Sequence, residues 1–344
     1  MSKTSIEDYN FELPPELIAS YPNENRTSSK LLHFNRNNHT INHRVFSDLV
    51  DELEAGDVIV MNDTKVIPAR LQLQKQTGGK IEILFNENLS NERFTVIYKS
   101  NRVPAMNSVI FFRDFKFRIE NIVSNIITLT NLNNSHIFNI LEKYGEVPLP
   151  TYIKRHVESS DGEKYQTVFA NHQGSVAAPT AGLHFSLDMI NQLIKRGIIL
   201  KYITLHISYN TFKPIKNINY TKHEIGHEKF SIDKDVFNCI DKAKSDKKRV
   251  IAVGTTVTRV LEHCYSKNIH NSTSDYTSLF IYPGYKFKIV DNLITNFHLP
   301  KSSLLLLVSA LIGKDKVISL YSEAIKNKYR FFSYGDCMFI DNSL

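Results

Sequence analysis

The chain has 344 residues, 42% of them hydrophobic and 22% charged, which is too long for one small core and describes a globule built as one large domain with an insertion, or as two domains. Forty-two Lys and Arg against 35 Asp and Glu leave a net charge of +7, a moderate excess that favours polyanionic partners without requiring them. Scattered Cys239, Cys264 and Cys337 offer neither a disulfide framework nor a thiolate metal site and fit a reducing, cytoplasmic setting; acids and prolines near the N-terminus argue against a signal peptide, and the longest apolar run, Leu304 to Ile312, falls short of the roughly 20 residues that span a bilayer.

In chain order, Pro14-Pro15 and Tyr21-Pro22 break the first segment, Phe46 to Leu53 reads as a helical turn or two, and Asp57 to Met61 is a buried-type strand running into Asn62-Asp63-Thr64-Lys65. Polar residues at the carboxyl end of a core strand stand where open α/β sheets bind ligands, although a simple Asx turn would look the same. From 66 to 152 the texture changes to short alternating runs, 69–73, 80–85, 94–98, 108–112, 115–119 and 126–129, separated by Gly-, Asn- and Pro-containing turns. Such spacing predicts a small β-barrel or sandwich, here inserted between the two parts of a larger α/β domain, 1–65 and 153–344.

The insertion closes at the Pro148-Leu149-Pro150 exit, which puts Lys154, Arg155 and His156 beside the stretch from Tyr165 to Phe185. That stretch collects Gly174, Ser175, Ala177, Ala178, Ala181 and Gly182 around Pro179 and Thr180, and so buries little apolar area; it suits a backbone that a ligand approaches, or a tight turn against its own sheet. Ser186 then caps a helix with Leu187, Ile190, Leu193 and Ile194 on one face. Strands follow at 198–207, 249–253 and 279–282, helices at 236–244 and 257–264, an apolar helix after Pro300-Lys301, an amphipathic helix at 316–328 and a last strand over 329–340. The 249–253 strand meets Gly254-Thr255-Thr256 and then a helix, an arrangement able to hold phosphate or carboxylate.

His223-Glu224-Ile225-Gly226-His227 has the spelling of a zinc-protease motif but not its context: Gly226 and the strand-like residues after it deny the helix that would align both histidines. His223 or Glu228 remains a candidate polar site group. The run from Asp241 to Arg249 carries five basic residues and reads as a solvated helix end or as part of a basic face with Lys195, Arg196, Lys326, Lys328 and Arg330. No G-x-S-x-G, P-loop or G-x-G-x-x-G occurs, so hydrolase, ATP and nicotinamide sites have no support. What accumulates is a set of polar or small-residue turns at strand ends, 62–65, 178–184, 255–259, 282–284, 296–301 and 334–336, which together suggest an extended cleft for a large polar ligand.

At these residues the sequence resembles the S-adenosylmethionine:tRNA ribosyltransferase-isomerases of queuosine biosynthesis. The matching stretches are MNDTKVIPARL (61–71), GGKIEILF (78–85), YGEVPLPTYI (144–153), GSVAAPTAGLHFS (174–186), AVGTTVTRVLE (252–262), LFIYPGYKF (279–287), TNFHLPKSSLLLLVSALIG (295–313) and YRFFSYGDCMFI (329–340). Two departures stand out. Where the family usually reads H-V-G-x-G-T-F, residues 206–212 are HISYNTF, with Ser208 and Asn210 in place of glycines; and Gly226 stands where the family tends toward a histidine, which leaves a role for His227 in doubt.

The resemblance implies transfer and isomerisation of the ribosyl group of S-adenosylmethionine onto 7-aminomethyl-7-deazaguanine at the wobble position of tRNA, giving epoxyqueuosine-tRNA, adenine and methionine. S-adenosylmethionine is then a consumed substrate, no separate cofactor or metal is called for, and the protein is expected to act as a cytoplasmic monomer without membrane contact. Within the matching motifs the catalytic candidates are His184, His206 and His298, since histidine moves protons near neutral pH. Candidates for S-adenosylmethionine are Asn62, Asp63, Lys65, Thr180, Gly182, Thr255, Thr256, Tyr282, Asn296 and Asp336; candidates for tRNA are Lys154, Arg155, Arg259, Lys301, Arg330 and Tyr334. The alternative from another class is a basic RNA-binding protein that keeps the fold without the chemistry.

Overall fold

The computed structural model describes residues 4–208, 215 and 217–343. Strands β1 (Lys30–Asn35), β2 (Ile41–Val45) and β3 (Val58–Asn62) come first, and β4 (Thr64–Val66) follows directly. Six strands then form one unit: β5 (Arg70–Lys75), β6 (Lys80–Asn88), β7 (Arg93–Lys99), β8 (Val109–Phe112), β9 (Phe115–Val123) and β10 (Ile126–Asn131). They close into an antiparallel barrel in the order β10-β7-β6-β5-β8-β9, so no edge is left open. Alternation fills its interior: Leu71, Leu73, Ile81, Ile83, Phe94, Val96, Phe117, Ile119, Ile127 and Leu129 all point inward, and helix α1 (Ile137–Tyr144) adds Ile137, Ile140 and Leu141 to the same core.

A four-residue helical turn, α2 (Asp161–Lys164), and strand β11 (His172–Ser175), which pairs in parallel with β4, lead back to the large sheet. Its remaining elements are α3 (Leu187–Lys195), β12 (Ile199–Leu205), β13 (Glu228–Ile232), α4 (Lys234–Ser245), β14 (Val250–Val253), α5 (Thr255–Ser266), β15 (Thr273–Thr277), β16 (Asn292–Asn296), α6 (Ser303–Ile312), α7 (Lys314–Lys326) and β17 (Cys337–Asp341). The nine strands run β15-β13-β12-β3-β14-β16-β17-β1-β2, and the central four, β12, β3, β14 and β16, are mutually parallel.

Alternation along these strands separates two cores. Ile59, Met61, Ile251, Val253 and Ile294 face Met189, Ile190 and Leu193 of α3 on one side. Val58, Val60, Val250, Ala252 and Leu293 face Ile240 of α4, Val257 and Leu261 of α5, and Leu305 and Val308 of α6 on the other. Ser186 accepts a hydrogen bond from Met189 N and caps α3, as the Ser-before-apolar-run pattern requires.

Two expectations are corrected. Leu279 to Tyr282 forms no strand; the edge strand is β15, six residues earlier in its start, and the Tyr282 ring packs at a tilt against Tyr220 and Phe280 instead. The final strand covers only Cys337–Asp341, because 329–336 is a turn in which Phe332 has a positive φ of 72°. Residues 223–227 are extended and loop-like, with no helix to align the two histidines, and among the described residues no cluster of His, Cys, Asp or Glu has a metal-binding arrangement. No described helix is long and apolar enough to cross a membrane.

Candidate functional site

The carboxyl ends of the parallel strands meet in a cavity of about 240 Å³. Three chain segments supply most of its wall: Ala178 to Ala181 from the small-residue loop, Gly254 to Thr256 at the end of β14, and Thr295 to Pro300 after β16. Ile207 closes one side from the end of β12, and Tyr152, Phe332 and Ser333 close another. After β3 the chain rejoins the sheet at β12 through α3 on one face, whereas after β14 it enters α5 on the other face. Ligands of open α/β sheets sit outside such a point because diverging connections leave a crevice there.

Gly254 makes the turn from strand to helix at φ +90°, a backbone conformation that an L side chain resists, and its N–H donates to Ile294 O at 2.7 Å. Being glycine, it offers α5 no side-chain cap, so the first-turn N–H groups and the positive end of the helix dipole are left for a ligand. Helix α6 begins on the same wall, but there Ser302 accepts from Leu305 N at 3.2 Å. Thr255, Thr256 and Thr180 add hydroxyls.

The two histidines nearest this cavity differ in what they can do. His298 lines it; its backbone N–H donates to Tyr321 Oη at 2.9 Å, and Nε2 lies 2.9 Å from Thr295 Oγ1. Nδ1 makes no hydrogen bond with a described residue. Burial pushes the imidazole down to about 3, so it is neutral at pH 7. His184 sits behind the wall, in a smaller cavity with Arg26 and Tyr334. Both its nitrogens are committed: Asn296 Nδ2 donates to Nε2 at 3.1 Å, which fixes the Nδ1–H tautomer that donates to Ser29 Oγ at 3.0 Å. Burial, then Arg330 and Arg26, push it down to about 3 as well. His184 therefore reaches the cavity only through Asn296.

His206 belongs to a different cleft, of about 310 Å³, between the barrel and the large sheet. Thr64 Oγ1 lies 2.8 Å from its Nδ1, and burial followed by Lys229 and His172 pushes it down to about 4. Phe85, Glu87 and Asn88 of β6 face His227, Lys229 and Tyr276 across this cleft, and Tyr276 Oη bridges it by donating to Glu87 at 2.8 Å. Ser208 donates its backbone N–H to Glu228 at 3.0 Å; Asn210 lies outside the described residues.

Several candidates are structural where they stand. Asn62 accepts from Thr64 N and Leu205 N and donates to Leu205 O and Thr256 Oγ1, which ties β3 to β12 and α5. Asp63 accepts from Thr204 Oγ1 at 2.6 Å, and burial raises its pKa; Lys65 is exposed on β4. Gly182 does not face the cavity: a Cβ there would meet Phe169 and Thr167 at 2.9 Å, so its small size serves packing. Asp336 is buried and accepts from Lys30 N and Arg330 N, which pins the turn before β17.

The expected tRNA residues divide in the same way. Arg259 is 2% exposed, pairs with Glu228 and donates to Leu279 O, so it cannot reach an external phosphate. Arg155 grips Asp161 through two 2.7 Å bonds, and Tyr334, 2% exposed, donates to the same carboxylate. Lys154 is exposed, Arg330 is half-buried near the second cavity, and Lys301 pairs with Glu7 at 2.6 Å near the cavity rim. Tyr152, Thr295, Ser302, Phe332 and Ser333 also line the cavity without having been candidates from their sequence context. Of these only Ser302 carries a local signal, an N-cap before an apolar run; Tyr152 and Ser333 meet by a hydrogen bond across 181 residues of chain.

A family model described as queuosine biosynthesis protein matches residues 6–340. Similar curated proteins, each named S-adenosylmethionine:tRNA ribosyltransferase-isomerase, occur in Sulfurihydrogenibium (46% identity over 97% of this chain and 99% of the relative) and in Coxiella burnetii (44%, covering 98% of each). The crystal structure of an S-adenosylmethionine tRNA ribosyltransferase from Thermotoga maritima is similar in fold, with a TM-score of 0.55, 31% identity and coverage of 97% of this chain and 99% of that one.

Proposed function

The chain belongs to the queuosine biosynthesis protein family of S-adenosylmethionine:tRNA ribosyltransferase-isomerases, and we propose that it transfers and isomerises the ribosyl group of S-adenosylmethionine onto 7-aminomethyl-7-deazaguanine at the tRNA wobble position. The products are epoxyqueuosine-tRNA, adenine and methionine. The reading further takes the protein as a cytoplasmic monomer and residues 66–152 as an inserted domain. The observation that carries the site assignment is the cavity at the carboxyl ends of β3, β14 and β16, lined by small residues, hydroxyls, a neutral imidazole and an uncapped helix N-terminus.

S-adenosylmethionine occupies that cavity in this reading. Its sulfonium acidifies the C5′ hydrogens of the ribose, so a base close to C5′ promotes ylide formation, and adenine departs from C1′ with the bonding electron pair and needs a donor. His298 is the group suited to proton movement: it lines the cavity, its Nε2 lies 2.9 Å from Thr295 Oγ1, and burial keeps the imidazole neutral at pH 7. The first-turn N–H groups of α5 stabilise negative charge without themselves titrating. The incoming aminomethyl group must be neutral to attack.

The experiment is release of adenine from S-adenosylmethionine in the presence of tRNA with or without 7-aminomethyl-7-deazaguanine. Release only with the modified tRNA is expected. No release with either tRNA, alongside salt-sensitive tRNA binding, would replace the transferase by an RNA-binding protein.

A further inference from the structure

We propose that the smaller cavity behind the wall, about 70 Å³ in volume, is an oxyanion site in which Arg26 and Lys164 hold a carboxylate or phosphate group of a substrate. This rests on the reading that S-adenosylmethionine and tRNA are the substrates, and it adds where their negative charge is met. Arg26 carries five N–H donors, and three are committed to main-chain oxygens. Nη1 donates to Gln166 O at 2.7 Å and to Leu183 O at 3.2 Å, and Nη2 donates to Glu163 O at 3.2 Å. These bonds fix the guanidinium without neutralising it. No described carboxylate forms an ion pair with Arg26, so one donor on Nε and one on Nη2 are left, the number that a carboxylate or phosphate takes from an arginine. Nε has no partner and is not shut away from solvent.

The surroundings favour an anion. Lys164 is exposed at the same cavity and is also in no ion pair with a described residue. Arg330 and Arg26 both disfavour a proton on His184, which lines the cavity, so the field there is positive. Burial lowers the pKa of Arg26 itself, against the pull of Glu163, as befits a charge that has lost water without gaining a partner. Among the described residues Glu24 is the only carboxylate in the lining; it is exposed, in no ion pair, and competes with a bound anion for the same cations. The larger cavity has no such place, because no described Asp, Glu, Lys or Arg lines it. Ser333 lies in the wall of both, so the two cavities adjoin, and the methionine carboxylate is the oxyanion expected here. A tRNA phosphate is the other source of the same chemistry.

The test measures equilibrium binding of S-adenosylhomocysteine, of its analogue lacking only the carboxylate, 5′-(3-aminopropylthio)-5′-deoxyadenosine, and of tRNA over a range of salt. Wild type should bind the carboxylate-containing ligand about 10- to 100-fold more tightly than the analogue, and in Arg26→Gln the ratio should fall to about 3-fold or less. Lys164→Gln should lower the ratio by about 2- to 3-fold and Glu24→Gln should raise it by as much. Both change exposed residues, so the site is tested even if Arg26→Gln fails to fold. If the oxyanion is a phosphate, the two nucleosides bind alike and the slope of log K for tRNA against log salt becomes shallower by about 1 in Lys164→Gln. Equal binding of the nucleosides, with a tRNA salt dependence that no variant changes, overturns the oxyanion site. So does a carboxylate preference that Arg26→Gln and Lys164→Gln leave undiminished. Because binding needs no turnover, the two ideas fail separately: adenine release without these effects overturns only the oxyanion site, and these effects without release overturn only the proposed reaction.

Discussion

The two ends of the central sheet both bury polar side chains, and they do so for opposite purposes. At the amino end Asp57 and Asp341, each 1% exposed, surround Arg249, which donates to Asp57 at 2.5 and 3.0 Å, to Asp341 at 3.4 Å and to Glu52 O at 2.9 Å; His33 closes the network at 3.2 Å from Asp341. Arg249 forms ion pairs with both carboxylates. At the carboxyl end Asn296, His298, Thr255 and Thr256 are buried to a similar degree but uncharged, and an amide oxygen and a helix N-terminus are left over. At the amino end the paired charges join strands, although Asn292 Nδ2 lacks a partner there too; at the carboxyl end the neutral polar groups line a cavity.

The sharpest way to break this comparison is His298→Ala. If the carboxyl end is the reaction site, kcat for adenine release should fall by about 10²- to 10⁴-fold while tRNA affinity stays within about 3-fold. Turnover equal to wild type would remove His298 from the reaction. At the other end Arg249→Ala strands two buried carboxylates and should cost about 3–5 kcal/mol of unfolding free energy, read by denaturant titration, with kcat of the folded protein unchanged. A loss of kcat without a loss of stability would mean that the network serves the site.

Much of this division can be read from the chain and some cannot. Strand β3 and its polar end, the Gly254-Thr255-Thr256 turn and the 295–300 segment are local patterns, and the structure brings the last two together in the cavity wall. Local patterns also mislead. Arg259 looks like a phosphate ligand one turn into a helix at a strand end, yet the helix turns it toward Glu228, 31 residues away in sequence. Gly182 looks like a ligand glycine and is a packing glycine. The missed wall residues Tyr152 and Phe332 arrive from either side of the small-residue loop, and nothing in their own neighbourhoods records that meeting. His184 and His298 have similar surroundings in sequence; only the contact of Asn296 with His184 separates positioning from contact.

A smaller effect is expected at the cavity floor. Gly254→Ala places a side chain at φ +90°, so the strain alone should lower stability by about 1–3 kcal/mol. The added Cβ would sit 3.7 Å from Ala181 Cβ, an ordinary contact, so the loop is not displaced by collision. KM for S-adenosylmethionine should rise as the first turn of α5 shifts, and thermal unfolding with and without S-adenosylhomocysteine separates the two effects: a full ligand-induced shift in the variant would confine Gly254 to a backbone role.

The last contrast is in pH. His184 and His298 are held neutral with pKa values pushed down to about 3, below the 6.5 of an exposed imidazole. Between those values the unfolded chain binds more protons than the folded one, so stability falls as pH falls, beginning near 6.5. Asp341 behaves differently: burial raises its pKa, but bonds from His33 and Ser343 and the charge of Arg249 outweigh that and hold it below 3.8, so its contribution is lost only in stronger acid. The amino end should therefore be indifferent to the step from pH 6 to pH 4.5 at which the carboxyl end weakens. Asp63 and Asp336, raised by burial, oppose the trend equally with or without a histidine substitution. His184→Gln should flatten the fall in unfolding free energy over that interval by up to about 1.4 kcal/mol per pH unit. An unchanged slope would mean that His184 takes up its proton inside the fold, and that the carboxyl end is more open to water than its burial implies.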